Sequence, residues 1–279
     1  MDIFEEICKL KREGKRAALA TIVNVRGSIP SVVAAKMLVR EDGSILGTVG
    51  GGCVESDVRK GAMEVMQDEK PKTFNFNLDQ RPDDDTGLVC GGSLQVFIEP
   101  VIPSPVLYIF GGGHVGLNVY KVATIAGFET VVCDDRELYA NRERFPDARD
   151  IHTGEMDAIF SELSPNSSAY IVIVTRGHRY DMNVLRWALD TPAQYIGMIG
   201  SGRKVLGVYK QLEAQGVPPE SFQRVFAPIG LDISAATPEE IAVSIVAELI
   251  AIRRKCSVAL PHSCNRIRAI QDEASTLKK

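Results

Sequence analysis

Hydrophobic and polar positions alternate with helical spacing at the start of the chain, where Phe4, Ile7, Cys8 and Lys11 predict a short amphipathic helix over Phe4–Lys11. ALATIVNV then predicts a strand ending at the turn residues Arg26-Gly27-Ser28. AAKMLVREDGSILGTVGGG has the form of a hairpin, with Asp42-Gly43 supplying its turn. VESDVRKGAMEVMQDE returns to helical spacing, and KTFNFNL and CGGSLQVFIEP predict two more strands. DQRPDDDTG between them is polar, acidic and turn-rich, as a surface loop is. VIPSP places prolines where an interdomain linker belongs.

From Val106 the pattern changes. The strand VLYIF runs through glycines into a helix across Val119 to Ala126, and TVVCDD is the next strand, followed by a helix or loop. YIVIVT and QYIGMIG are short continuous apolar runs, each followed by a helical segment, YDMNVLRWAL and RKVLGVYKQLEAQG. TPEEIAVSIVAELIAIRR closes the pattern, with Thr237 as cap, Pro238 in the first turn and Glu240 completing a capping box. Such alternation predicts a mostly parallel sheet with helices on both faces. The expected class is therefore α/β: a smaller mixed α+β N-terminal domain over 1–102, a Rossmann-like domain over 103–255, and a tail over 256–279.

Composition narrows the function. The 279 residues suit about two domains. A formal charge of -4 gives no electrostatic reason to expect nucleic acid or an anionic membrane as partner. The start, MDIFEEICKLKREGKR, is charged from its second residue, unlike a signal peptide, and no apolar run approaches a membrane span. Six cysteines are dispersed rather than stapled, so reduced thiols and a cytoplasmic location are expected. There is no CxxC, and Cys256, His262 and Cys264 near the end do not have zinc-finger spacing, so no metal site is assigned.

The chemistry concentrates in glycine-rich turns. Gly111-x-Gly113-x-x-Gly116 follows a predicted strand and opens a helix, with Asp134 and Asp135 ending the next strand. This is the dinucleotide fingerprint in context, the acid standing where a ribose hydroxyl is bound. The same glycines also serve tight strand–helix packing, and His114 is either a phosphate contact or a solvent-facing turn residue. His178, after YIVIVT, is a candidate base with Asp181 to orient it, or a polar group at a helix start favoured by the Asp181 charge. Gly200-Ser201-Gly202-Arg203-Lys204 is either a second anion-suited turn, with Ser201 and Arg203 as candidate contacts, or a plain surface loop. In the front half, Gly50-Gly51-Gly52-Cys53-Val54-Glu55 joins exposed backbone to a thiol and a carboxylate, and Cys90-Gly91-Gly92 offers a second thiol. Soft-metal or sulfur chemistry, a persulfide and a redox disulfide are the jobs open to Cys53 and Cys90.

These motifs together resemble the xanthine dehydrogenase accessory protein family (XdhC/CoxI type). GSIPSVVAAKMLV, DGSILGTVGGGCVESDV and GLVCGGSLQVFIEP carry the likeness in front; VLYIFGGGHVG, VTRGHRYD, YIGMIGSGRK and APIGLDISAATPEEIAVSI carry it behind, over nearly the whole chain. The resemblance implies a non-catalytic or weakly catalytic maturation factor that binds a molybdopterin-type cofactor, assists its sulfuration and delivers it to an apo molybdenum hydroxylase. It implies that Gly51, Gly52, Cys53, Glu55 and Cys90 belong to a cofactor or sulfur site. Gly111, Gly113, His114 and Gly116 would then hold a phosphate-bearing tail or a nucleotide. A cysteine desulfurase and a second copy of the chain are further expected partners. An oxidoreductase using NAD or NADP explains Asp134 but gives GGGC and CGG no job, and a nucleotide-sensing module that acts through protein partners explains the rear half alone.

Overall fold

The structure, a computed structural model, describes residues 2–27, 32–77 and 92–256, with Cys53 described in its backbone only. The expected loop DQRPDDDTG, Cys90, Gly91, His262 and Cys264 lie outside the described residues. The chain divides into two compact units between Ser104 and Pro105.

The first unit is an antiparallel sheet flanked by two helices. Helix α1 (Ile3–Arg12) precedes strand β1 (Ala17–Gly27), the hairpin of β2 (Lys36–Arg40) and β3 (Ile45–Gly47), helix α2 (Gly52–Asp68), and strands β4 (Lys72–Asn77) and β5 (Gly92–Val101). The strand order is β3-β2-β1-β5-β4. The hairpin turns at Gly43, whose φ of +79° suits glycine. Alternation along β1 sends Ala18, Ala20 and Ile22 towards Val58, Ala62 and Val65 of α2. The opposite face takes Ala17 and Leu19 onto Leu10 of α1. Both faces are thus covered, and β1 is almost continuously apolar for that reason.

The second unit is a six-stranded sheet in which every pairing is parallel, in the order β11-β10-β9-β6-β7-β8. Its strands are β6 (Val106–Phe110), β7 (Glu129–Asp134), β8 (Asp150–Thr153), β9 (Ala169–Ile173), β10 (Tyr195–Met198) and β11 (Val225–Phe226). Helices α3 (His114–Ile125), α4 (Met156–Glu162), α5 (His178–Leu189), α6 (Gly202–Ala214) and α7 (Pro238–Arg253) complete it. All five residues of β6 are buried: Tyr108 and Phe110 face Ile159, Leu185 and Val208, while Leu107 and Ile109 face Val119 and Ile245. Each fully buried side chain of this kind contributes roughly 1.5–3 kcal/mol over leaving it exposed.

The capping box expected at α7 is present. Thr237 Oγ1 accepts from the Glu240 N–H at 3.3 Å, and Glu240 Oε2 accepts from the Thr237 N–H at 3.1 Å. Strands β8 and β11 and helix α4 are not separate expectations of the sequence pattern. DIHT is four residues long, polar and at the sheet edge, β11 has two residues and α4 seven, so none develops a period to read.

Candidate functional site

Strands β6 and β9 are neighbours although two strands separate them in the chain, so the order of connection reverses there. Open parallel sheets bind ligands at the carboxyl ends of the strands at such a point. Two of the expected motifs leave from it: the glycine loop after β6 and the Thr175–His178 turn after β9.

The glycines of the first loop have different reasons to be glycine. A Cβ at Gly111, where φ is +115°, would fall 2.4 Å from the Val174 carbonyl oxygen. One at Gly112 would fall 2.2 Å from the Tyr139 oxygen, and one at Gly116 would fall 1.8 Å from the Gly111 oxygen. All three are packing glycines, pressed by backbone that cannot give way. Gly113 has nothing within 4 Å of its Cβ position. It is the N-cap of α3 and offers no side chain to the first-turn N–H groups, and His114 beside it is exposed. Open space above uncapped N–H groups is the local geometry in which a phosphate can approach backbone.

Asp134 ends β7 where expected, but its carboxylate is engaged. Oδ2 accepts from the Gly112 N–H at 2.8 Å and from Arg136 Nη2 at 3.2 Å. Oδ1 accepts from the Arg136 N–H at 3.1 Å and from Arg136 Nε at 3.0 Å. The residue is 2% exposed. Burial alone would push its pKa up, but the Arg136 side chain and the two backbone donors outweigh burial and hold it below the usual aspartate value. Arg144 adds a bond from Nη2 to the Gly112 oxygen at 2.9 Å, so the two polar groups of Gly112 are tied to the end of β7 and to the segment that follows it. Asp135, next along, pairs with Arg176 Nη2 at 2.5 Å.

The expected pair of His178 and Asp181 is not formed. His178 is exposed at the first position of α5. Asp181, three residues on, is fully buried and directed elsewhere: Oδ1 accepts from Thr175 Oγ1 at 2.6 Å, and Oδ2 lies 2.5 Å from Lys204 Nζ as an ion pair off the hydrogen-bond direction. The partly buried ammonium, which also donates to the Ile199 oxygen at 3.0 Å, is the stronger attraction for a buried carboxylate than an exposed imidazole. Asp181 therefore ties the start of α5 to the start of α6. Within the Gly200–Lys204 turn, Ser201 caps α6 by accepting from the Lys204 N–H at 3.4 Å, and Arg203 is exposed. Gly200 leaves room for the Lys204 stem, whose Cδ would lie 2.5 Å from a Cβ there.

In the first unit, three successive glycines before and at the start of α2 take positive φ: Gly50 at 121°, Gly51 at 81° and Gly52 at 59°. Nothing lies within 4 Å of a Cβ at Gly51 or Gly52, so backbone conformation, not crowding, selects glycine at both. Glu55 braces the turn. Its Oε1 accepts from the Thr48 hydroxyl and, at 3.2 Å, from the Gly51 N–H, while Thr48 Oγ1 accepts from the Gly50 N–H at 3.1 Å. Cys53 follows as the second residue of α2.

Sequence reasoning missed Arg136, Arg144 and Arg176. Arginines two and ten residues after the acid of β7 are the available signal, but only the fold shows that they turn back on the loops. Among the described residues, no group of three or more His, Cys, Asp or Glu is arranged to hold a metal, and no helix is long and apolar enough to cross a membrane.

Comparison with known proteins agrees with this architecture. Residues 107–249 match the XdhC Rossmann domain, and residues 10–77 match the XdhC and CoxI family. The chain is similar to the protein YqeB of Escherichia coli, 35% identical over 254 residues that cover 91% of this chain and 46% of YqeB, so it spans about half that relative's length. It is similar to the molybdenum cofactor insertion chaperone PaoD of Escherichia coli, 26% identical over 272 residues, covering 86% of this chain and 84% of PaoD. A crystal structure described as a xanthine dehydrogenase from Bacillus halodurans superposes with a TM-score of 0.51 at 25% identity, covering 93% of this chain and 98% of that one. With matches in both units, and one of them spanning half its length, the chain belongs to the XdhC and CoxI family.

Proposed function

We propose that this chain is a maturation factor for a molybdenum hydroxylase: it binds a molybdopterin-type cofactor, assists its sulfuration and passes it to the apo-enzyme. The observation that carries the reading is family membership across both units, with a relative named as a molybdenum cofactor insertion chaperone. Each unit supplies a glycine turn that opens a helix without a side-chain cap, Gly51 before α2 and Gly113 before α3.

The donor chemistry fits such a cofactor, which when bound supplies a molybdenum centre on a dithiolene and an anionic phosphate tail. The open backbone at Gly113, with His114 beside it and Gly111 and Gly116 shaping the turn, suits the phosphate. Ser201 and Arg203 are assigned as further anion contacts of the second unit. Gly51 and Gly52 place the first turn of α2, from which Cys53 acts at the sulfur end, with Cys90 as the second thiol. Glu55 serves this site by holding the turn rather than by meeting the cofactor. His178 is assigned no catalytic role. The apo-hydroxylase receives the cofactor, a cysteine desulfurase supplies sulfur, and the working form is a homodimer.

The test is equilibrium binding of anaerobically released molybdenum cofactor to the full chain, to Cys53→Ala and Cys90→Ala, and to Gly113→Ala, with transfer to an apo-hydroxylase as a second readout. The reading expects saturable binding, weakened at least about tenfold by one thiol variant and by Gly113→Ala, which is 1.4 kcal/mol or more. A folded chain that neither binds the cofactor nor restores hydroxylase activity would overturn it.

A further inference from the structure

We propose that Arg136 is a specificity-determining residue that closes the Rossmann crevice to nucleotides presenting a free ribose diol, NAD among them. The inference concerns the nucleotide side of the crevice and stands apart from molybdenum cofactor binding.

In a dinucleotide site, the acid at the end of the second strand accepts hydrogen bonds from ribose hydroxyls. Asp134 occupies that position at the end of β7, 21 residues beyond Gly113. Each of its oxygens already receives an Arg136 side-chain bond, Nε on Oδ1 at 3.0 Å and Nη2 on Oδ2 at 3.2 Å. A further backbone N–H reaches each oxygen, from Arg136 at 3.1 Å and from Gly112 at 2.8 Å. A carboxylate bonded in this way has no strong acceptor site left for a diol. The diol would have to displace a guanidinium, exchanging bonds between two charged groups for bonds from an uncharged donor to the same carboxylate.

Arg136 is held in this position from its other face. Its guanidinium carbon stacks 3.7 Å from the centroid of the Tyr139 ring, and its Nε lies 3.6 Å from Asp135 Oδ1. Asp135 in turn pairs with Arg176, which lies after β9 and stacks at 5.0 Å on Tyr180. Strand β6 lies between β7 and β9 in the sheet, so the Asp135–Arg176 pair joins the loops that flank the glycine turn. A dinucleotide's ribose and base would pass between those two loops. Asp134 is what sequence reading offers as a ribose ligand, and Arg136 is what cancels it.

The experiment titrates NAD into the full chain, into Arg136→Ala and into Arg136→Gln, with circular dichroism confirming the fold of each. Removing the guanidinium frees one lone-pair direction on each Asp134 oxygen while Gly112 keeps its bond. At least one folded variant is expected to bind NAD about tenfold or more tighter than the unchanged chain, which binds it no tighter than about 1 mM, or -4.1 kcal/mol. Tighter binding by the unchanged chain overturns the proposal. So does a gain below tenfold in both variants, including no detectable binding by any of the three. Molybdenum cofactor binding, measured in parallel, is independent of either result.

Discussion

The carbonyl oxygen of Gly111 lies 1.8 Å from where a Cβ of Gly116 would be. Strand β6 and helix α3 meet there backbone to backbone, and no side chain can move to relieve a clash. Gly116→Ala should therefore destabilise the second unit by about 3 kcal/mol, the upper part of the ordinary overpacking range. Gly113 has φ -67° and nothing within 4 Å, so Gly113→Ala should alter stability by about 0.5 kcal/mol or less. Urea unfolding of the two variants separates the packing glycine from the open one. Equal losses would show that the turn has a different shape.

Glu55 gives a second contrast. Glu55→Ala removes the acceptor for the Thr48 hydroxyl and the Gly51 N–H. It should cost about 1–2 kcal/mol, two modest hydrogen bonds in a partly exposed turn. Glu55→Gln keeps an oxygen in place and should recover most of that loss. Thermal unfolding reads the difference, and an alanine variant as stable as the unchanged chain would remove the bracing role.

Cys133 tests which thiols are chemistry and which are core. It is fully buried in β7, and burial pushes its thiol pKa up, with nearby carboxylates, Asp150 first, adding to the effect. Cys8 and Cys256 are exposed. Iodoacetamide at pH 8 should label both exposed thiols in the native chain and reach Cys133 only after denaturation. Peptide mapping that finds Cys133 labelled at a comparable rate would contradict the packing of β7.

Much of the second unit is legible in the sequence because its physical causes are local. VLYIF and AYIVI are continuous apolar runs since both sheet faces are covered, and TPEE is a self-contained cap. The glycine turn is also legible, since a fingerprint spacing needs no distant partner to be noticed. Side-chain allegiance is not local. That Asp181 turns to Lys204 rather than His178, and that Arg136 and Arg144 fold back onto Asp134 and Gly112, depends on which loops the sheet order makes neighbours. Asp134 is visible in the chain as an acid after a strand, whereas its saturation appears only when Arg136 is placed.

The Asp181–Lys204 pair should be costly to break on one side. Asp181 is fully buried and Lys204 has a side chain only 15% exposed, so removing either partner strands the other's charge. Each single variant, Asp181→Asn or Lys204→Met, is expected to lose about 3–5 kcal/mol, as for other half-broken buried pairs. The double variant Asp181→Asn/Lys204→Met should lose less than the two single variants combined. Denaturant unfolding of the full cycle checks this, and simple additivity would show that the charges do not depend on one another.

Asp134 makes the acid stability of the second unit predictable in sign. Burial opposes its ionisation, but Arg136 and the Gly112 and Arg136 N–H groups prevail and hold the folded pKa below the ordinary value. A depressed carboxylate contributes stability that is fully present above the unfolded pKa, about 3.9, and is lost as pH falls through the lower folded value. The contribution should therefore be constant at neutral pH and fade below about pH 4. Asp134→Asn keeps an acceptor for Gly112 but has no charge to lose. It should be less stable than the unchanged chain at pH 7 and show a flatter decline below about pH 4. Unfolding free energies from pH 7 to pH 3 measure both slopes, and parallel curves would mean that the Arg136 bonds do not set the ionisation of Asp134.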